Sequence, residues 1–491
     1  MDTTDKNTIP STATPGKALT GAHRFSKWCQ SVMSPYVFIV LVSILIGALC
    51  GAAAFCFKWL IAEISGIFMP HIEGGKINWW IIAVPVAGIL LTGIFNRYII
   101  HDNPTHGTGR LINDLANNNY DLRGDLTYSP ILASSITLGM GGTSGSEGPI
   151  AYTGAAIGSN VGKWLGLDND MVRTLIGCGT SAGIAGIFIA PVGGIMFGLE
   201  VIRVKLSTLG VLAVTISCLT SFMMISILTG LRADMVFYPA VPVGDIHILP
   251  VILLGVFCGI YSFYYSAVTN HMDRFFTLIK NPWVRNVTGG LIIGLCLLMF
   301  PSMYSVGYGV IGDVLNGDPG ALSHGSVLST LVPGELQLVI ACGGIMFLKC
   351  WGVAATNSSG GVGGDFAPTL FAGCMAGYMF ACVSNHWLAL EIPVGIAAFI
   401  GMAGVMAGAI EAPLMTIFIV MEMTRKFDFA IPIIVVAAVS YITVKTCKRI
   451  ANIQGRMIRH FFWFAKNYTS HKEPSHTSPA QQPPTPKPPN A

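Results

Sequence analysis

Charge is what this chain has least of. Asp, Glu, Lys and Arg make up 11% of its 491 residues, where a soluble domain carries about 25%. That deficit excludes a water-soluble globular protein. A nucleic-acid surface is excluded too, because the formal net charge is only +4 and the basic residues gather at the two ends. Metal-dependent catalytic signatures are also missing. There is no HExxH motif and no cluster of metal-ligating side chains, so an intramembrane enzyme using Glu147, Glu200 or His106 as acid or base would lack a metal centre. The twelve cysteines form no CxxC or CxH group, which excludes a disulfide framework and a metal site. Neither a metal nor a cofactor is expected. The first 30 residues lack the short apolar core of a cleaved signal peptide.

Apolar residues fill the space that charge leaves. They are 52% of the chain, and the mean hydropathy is +0.63. Uncharged runs long enough to cross a bilayer include Tyr36–Phe57, Leu206–Leu231 and Ile248–Thr269. Asn78–Phe95, Ile392–Ile410 and Ala430–Val444 are shorter or broken by Gly and Pro. The fold class is therefore an all-α, polytopic membrane protein in contact with lipid. Residues 1–34 read as a polar tail and 35–466 as the membrane domain. Its halves lie at about 35–231 and 247–466, joined by Leu231–His247. Residues 467–491, rich in Pro, Ser, Thr and Gln, cannot bury a core and read as a disordered tail. Lys17, Arg24 and Lys27 precede the first span, and Lys445, Lys448, Arg449, Arg456 and Arg459 cluster near the last. By the positive-inside rule both termini are cytoplasmic and the number of crossings is even.

The chain also repeats itself. Residues 179–203 and 401–425 agree at Gly179/Gly401, Ala185/Ala407, Gly186/Gly408, Ala190/Ala412, Pro191/Pro413, Ile195/Ile417, Glu200/Glu422 and Arg203/Arg425. Upstream of each, Pro149, Gly154 and Gly158 are echoed by Pro368, Gly373 and Gly377. Two phrases recurring in the same order indicate a duplicated membrane unit, and in transporters the substrate site forms between such halves from interrupted helices.

Three short elements carry the chemistry: His106-Gly107-Thr108-Gly109, Gly145-Ser146-Glu147-Gly148-Pro149 and Gly363-Gly364-Asp365-Phe366-Ala367-Pro368. Glycines running into a proline and then an apolar stretch predict a helix that starts inside the membrane, since proline suits a first helical turn. A helix N-terminus offers unpaired N–H groups and about half a positive charge. Several aimed at one point bind an anion without Lys or Arg, and they hold it weakly enough to release it. Glu147 is then an anion of the protein's own at the place where a permeating anion would sit. Moving aside, or taking a proton, would vacate that place, which makes Glu147 the expected gate.

These residues carry a resemblance to the CLC family of chloride channels and chloride/proton exchangers. The sequence Gly145-Ser146-Glu147-Gly148-Pro149 is similar to the family's G-[KR]-E-G-P motif, and Gly364-Asp365-Phe366-Ala367-Pro368 to its G-x-F-x-P motif. Its G-S-G-I-P motif is met only in part, by Gly107-Thr108-Gly109-Arg110. The likeness runs from Pro35 to Thr443. It implies inverted repeats of two homologous halves with many tilted and broken helices, and a homodimer with one pore per subunit in the cell membrane. It also implies chloride or another small anion held by the backbone of Asp365 and Phe366, the Thr108 hydroxyl and the Glu147–Gly148 region. Two departures favour passive, channel-like conduction. The cytoplasm-side relay glutamate that family exchangers commonly carry after the residue matching Glu200 is here Val201, and no tyrosine lies near Ile453, where an inner-pore tyrosine is expected. The alternative is a chloride/proton antiporter with an altered relay. A fluoride exporter is a weaker third reading.

Overall fold

The computed structural model describes residues 31–72, 79–101, 107–204, 207–230, 247–322, 335–388 and 391–470, with isolated positions at 24, 26, 28 and 237. His106, nearly all of the expected inter-half connection and the C-terminal tail beyond 470 lie outside the described residues. The described chain is helical. Its elements are α1 (Pro35–Ile72), α2 (Trp80–Ile94) running into a π-helical turn (Phe95–Ile100), α3 (Gly107–Ala116), α4 (Ser129–Gly139), α5 (Glu147–Trp164), α6 (Asn169–Phe188), α7 (Pro191–Glu200) and α8 (Thr208–Thr229). There follow α9 (Ile248–Leu278), α10 (Pro282–Met299), α11 (Tyr308–Leu315), α12 (Glu335–Ser359), α13 (Phe366–Leu388), α14 (Val394–Ile410), α15 (Pro413–Thr424) and α16 (Ala430–Ser470). Two units are distinguished, Met1–Val444 and Lys445–Ala491, the described part of the second being the last turns of α16.

Among the described residues nine helices are long and apolar enough to cross a membrane. Four that the uncharged runs did not delimit are α6, α10, α12 and α13; in α6 and α10 the hydropathy is diluted by glycine and a few polar residues. Large apolar side chains remain exposed on several spans, including Leu41, Leu45, Ile227, Leu249, Ile260 and Ile434. In water such a surface would aggregate; facing acyl chains or another subunit it has no such penalty.

Glycine explains why the repeated phrases are repeated. A β-carbon on Gly154 or Gly158 of α5 would fall on the carbonyls of Gly179 or Leu175 in α6. In the second half, a β-carbon on Gly373 or Gly377 of α13 would fall on the carbonyls of Gly401 or Ala397 in α14. Each half thus contains one helix pair packed backbone to backbone, the contact that small residues permit in lipid. The correspondence reaches residues the phrases do not contain. Cys50 Sγ of α1 donates to Gly179 O at 3.4 Å, and Cys258 Sγ of α9 to Gly401 O at 3.9 Å.

A second correspondence gives the repeat its direction. The Glu200 carboxylate at the end of α7 accepts the Leu414 and Met415 N–H groups at the start of α15, at 3.4 and 2.8 Å. Reciprocally, the Glu422 carboxylate near the end of α15 accepts Val192 and Gly193 N–H at the start of α7, at 3.1 and 2.8 Å. Each helix caps the other's N-terminus, so α7 and α15 run antiparallel about a local two-fold axis. Pro191 and Pro413 open the two helices, where a missing N–H costs nothing. An anionic side chain at a helix start also complements the dipole.

Candidate functional site

The site forms where the two halves touch. Gly145 and Gly364, just before the starts of α5 and α13, make an isolated antiparallel bridge, with N–H to O distances of 2.8 Å in both directions. Side chains reinforce this junction. The Ser144 hydroxyl lies 2.7 Å from both Asn357 Oδ1 and Gly364 O, and Asn357 Nδ2 donates to Asp365 Oδ1 at 3.2 Å. Thr356 Oγ1 accepts the Thr143 N–H at 3.3 Å, and Thr137 Oγ1 accepts the Val362 N–H at 3.1 Å. Loops that would strand backbone groups inside a membrane are satisfied by the opposite half, which fixes both helix starts.

Helices α5 and α13 begin at Glu147 and Phe366, with Pro149 and Pro368 both third in their helix. Ser146 is buried at the N-cap position of α5. The Glu147 side chain turns back across the bridge rather than out along its helix. It is 1% exposed, and Oε1 accepts the Phe366 N–H at 2.5 Å. Oε2 is buried with no partner among the described residues. The carboxylate fills the space that a β-carbon on Gly145 or Gly364 would occupy, so glycine at both positions is what admits it. The Phe366 ring packs edge-on against Phe197 of α7, centroids 5.8 Å apart.

The third element arrives through Gly107. A β-carbon there would lie 2.7 Å from Gly148 O, so the start of α3 abuts the start of α5. Thr108, the next residue, is half-buried in the first turn of α3. Gly148 in turn packs against Gly363 and Gly364. The start of α3 thus abuts the start of α5, and the start of α5 abuts the segment leading into α13. The buried carboxylate, itself in the first turn of α5, bonds the N–H at the start of α13, where the helix end offers partial positive charge.

Two positions that the sequence singles out take other roles. Val201 closes α7, half-buried against the apolar core. Glu200, considered as an acid or base, spends both carboxylate oxygens on the start of α15. Several residues here carry no motif: Ser144, Asn357 and Phe197 are of types common in any membrane helix. Lys349 did leave a signal, as the one lysine within the apolar stretch of α12. It is fully buried, its Nζ donating to Met303 O at 3.4 Å and lying 4.7 Å from the centroid of Phe371 of α13. Tyr265 of α9 is likewise buried, its hydroxyl without a partner among the described residues.

The family described as voltage gated chloride channel matches residues 88–445, a stretch that contains α5, α13 and the bridge between them. The chain belongs to this CLC family. It is thereby a multi-pass membrane protein of anion transport. It is 26% identical over 392 residues to a putative chloride channel protein ClcB-like of Ralstonia nicotianae, covering 78% of this chain and 86% of the relative. It is 26% identical over 416 residues to the H(+)/Cl(−) exchange transporter ClcA of Vibrio cholerae, covering 81% and 84%. Among solved structures, a slow cyanobacterial Cl−/H+ antiporter superposes with a TM-score of 0.69 at 20% identity, over 84% of this chain and 95% of that one. A CLC-type fluoride/proton antiporter gives 0.64 at 24% identity, over 83% and 95%. These two likenesses speak to the fold, which is the one expected. Passive conduction, favoured by Val201 and the missing tyrosine, is not the reading that these comparisons favour: the Vibrio relative is named an exchanger.

Proposed function

We propose that this protein carries chloride across the cell membrane in exchange for protons, with Glu147 serving as both gate and proton carrier. One observation carries the reading: a buried carboxylate at the start of α5 crosses to the start of α13, hydrogen-bonded to the Phe366 N–H. Ionised, Glu147 competes with chloride for those N–H groups. Protonated, it loses most of its attraction to them and leaves, so that chloride can settle against the backbone of Asp365 and Phe366, near Gly148 and the Thr108 hydroxyl. Chloride in the site and a proton on Glu147 thus favour each other, which is the linkage exchange requires. On this reading both termini lie in the cytoplasm, as the basic flanks suggest, and two copies pair with a pore in each. A second reading, uncoupled conduction gated by Glu147, is favoured by Val201, which cannot titrate. Reconstituted protein under an outward chloride gradient separates the two. Exchange predicts inward proton movement as chloride leaves, recorded by a pH electrode and abolished in Glu147→Ala; chloride efflux with no proton movement would leave the channel reading.

A further inference from the structure

A cavity of about 410 Å³ opens at the far end of α2, where the π-helical turn Phe95–Ile100 meets the start of α10. It lies apart from the gate but reaches Gly360, at the head of the loop leading to Gly364. Its walls include Asn96, Arg97, His101, Trp283 and Arg285, and no carboxylate is among the described residues that line it. Arg97 is held over the Trp283 ring, 5.6 Å from its centroid, and Tyr98 stacks on the same ring at 6.4 Å. Arg285 Nε is buried without an acceptor among the described residues. Asn96 is 5% exposed, and neither its amide nitrogen nor its oxygen has a partner among them. A buried polar group left unpaired costs about 1–3 kcal/mol. Two guanidiniums, an unsatisfied amide and no described acid make up a cavity short of one anion. The π-helical turn fits this, since such turns frequently mark functional sites.

We propose that this cavity holds the phosphate group of an anionic lipid. Guanidinium forks match phosphate oxygens two at a time, and the cavity is far larger than a chloride ion needs. Its position selects lipid as the source. It lies where one membrane-crossing helix ends and another begins; next in sequence to its lining residues, Tyr98 and Ile99 are 60% and 63% exposed, and Val284 of α10 is also exposed. Basic pockets between spans at a membrane surface suit anionic headgroups, and exposed aromatic and apolar side chains suit the start of the acyl region. Because Asn286 is wedged among Gly93, Ser359 and Gly360, a headgroup here would press on the segment that positions the α13 start.

The proposal does not depend on the exchange mechanism, and its test reads binding rather than flux. Full-length protein in detergent is titrated with short-chain phosphatidylglycerol, phosphatidylcholine or inorganic phosphate, reading lipid retention by native mass spectrometry and the thermal midpoint. Phosphatidylglycerol should be retained and raise the midpoint, and the other two should not. The pair Arg97→Gln with Arg285→Gln should weaken its apparent affinity about tenfold, the loss expected for a charged hydrogen bond. Arg97→Gln alone alters an exposed side chain and should produce a smaller loss in a folded protein. Retention of phosphatidylglycerol unchanged by the double substitution, or equal retention of phosphatidylcholine, would overturn the site. Equal stabilisation by inorganic phosphate would overturn lipid as the source.

Discussion

If Glu147 competes with chloride as proposed, replacing it by alanine removes the competitor, and the gain in chloride affinity can be worked from the contacts its carboxylate makes. The ionised carboxylate accepts one backbone N–H, from Phe366, a charge-assisted bond that contributes about 1.5–3 kcal/mol. Ordering the side chain offsets up to about 1.5 kcal/mol of that. The unpartnered Oε2 offsets more. A net hold of at most about 1.5 kcal/mol corresponds to up to roughly tenfold in the apparent dissociation constant, at tenfold per 1.4 kcal/mol. Isothermal titration of chloride into detergent-purified Glu147→Ala, set beside wild type at neutral pH, measures this directly. The difference should shrink as pH falls, because protonation releases the wild-type side chain just as the mutation deletes it. Chloride affinity that is unchanged in the mutant, or a difference that holds constant with pH, would refute the competition between carboxylate and anion.

The reciprocal caps on α7 and α15 should matter to stability rather than to gating. Glu200→Ala and Glu422→Ala should each cost about 1.5–3 kcal/mol, seen as a lower thermal midpoint, with the pH response of flux retained in whatever protein folds. A midpoint equal to wild type in both would remove their structural role. Gly154→Val and Gly377→Val should be still less tolerated: overpacking typically costs about 1–3 kcal/mol, and here the added atoms meet backbone carbonyls. Both should lower the yield of monodisperse protein in size-exclusion chromatography, and normal yield would refute the backbone-to-backbone packing. Thr108→Pro removes a hydroxyl that can give one hydrogen bond, of about 0.5–1.5 kcal/mol net. The chloride/nitrate permeability ratio should shift by a factor of about two to ten; an unchanged ratio would place Thr108 away from the ion.

The residues legible in the sequence were those whose chemistry is unusual for their medium. A glutamate between glycine and proline in an apolar chain reports its own importance, because a membrane tolerates neither the charge nor the broken helix without a purpose. The duplicated glycines were equally readable, since close helix packing restricts side-chain size whatever the rest of the sequence does. Other features were not readable because they depend on the pairing of distant segments. That Gly145 bonds Gly364, that Ser144 reaches Asn357, and that Glu200 caps α15 are consequences of the two-fold relation. The matching of Glu200 with Glu422 in the repeat was visible; the exchange of caps it produces was not. The cavity beside Arg285 was hidden for the same reason. Asn96, Arg97 and Arg285 stand on two helices separated by most of the first half, and neither helix alone carries a motif.

The most direct test of the account is to look for the anion itself. Crystals of Glu147→Ala grown in bromide, measured at the bromine absorption edge, should show an anomalous peak within hydrogen-bonding distance of the Phe366 N–H, in the space now filled by the Glu147 carboxylate. Wild-type crystals at neutral pH should lack that peak. Bromide at that point in both proteins, or at that point in neither, would contradict the claim that Glu147 stands in the anion's place.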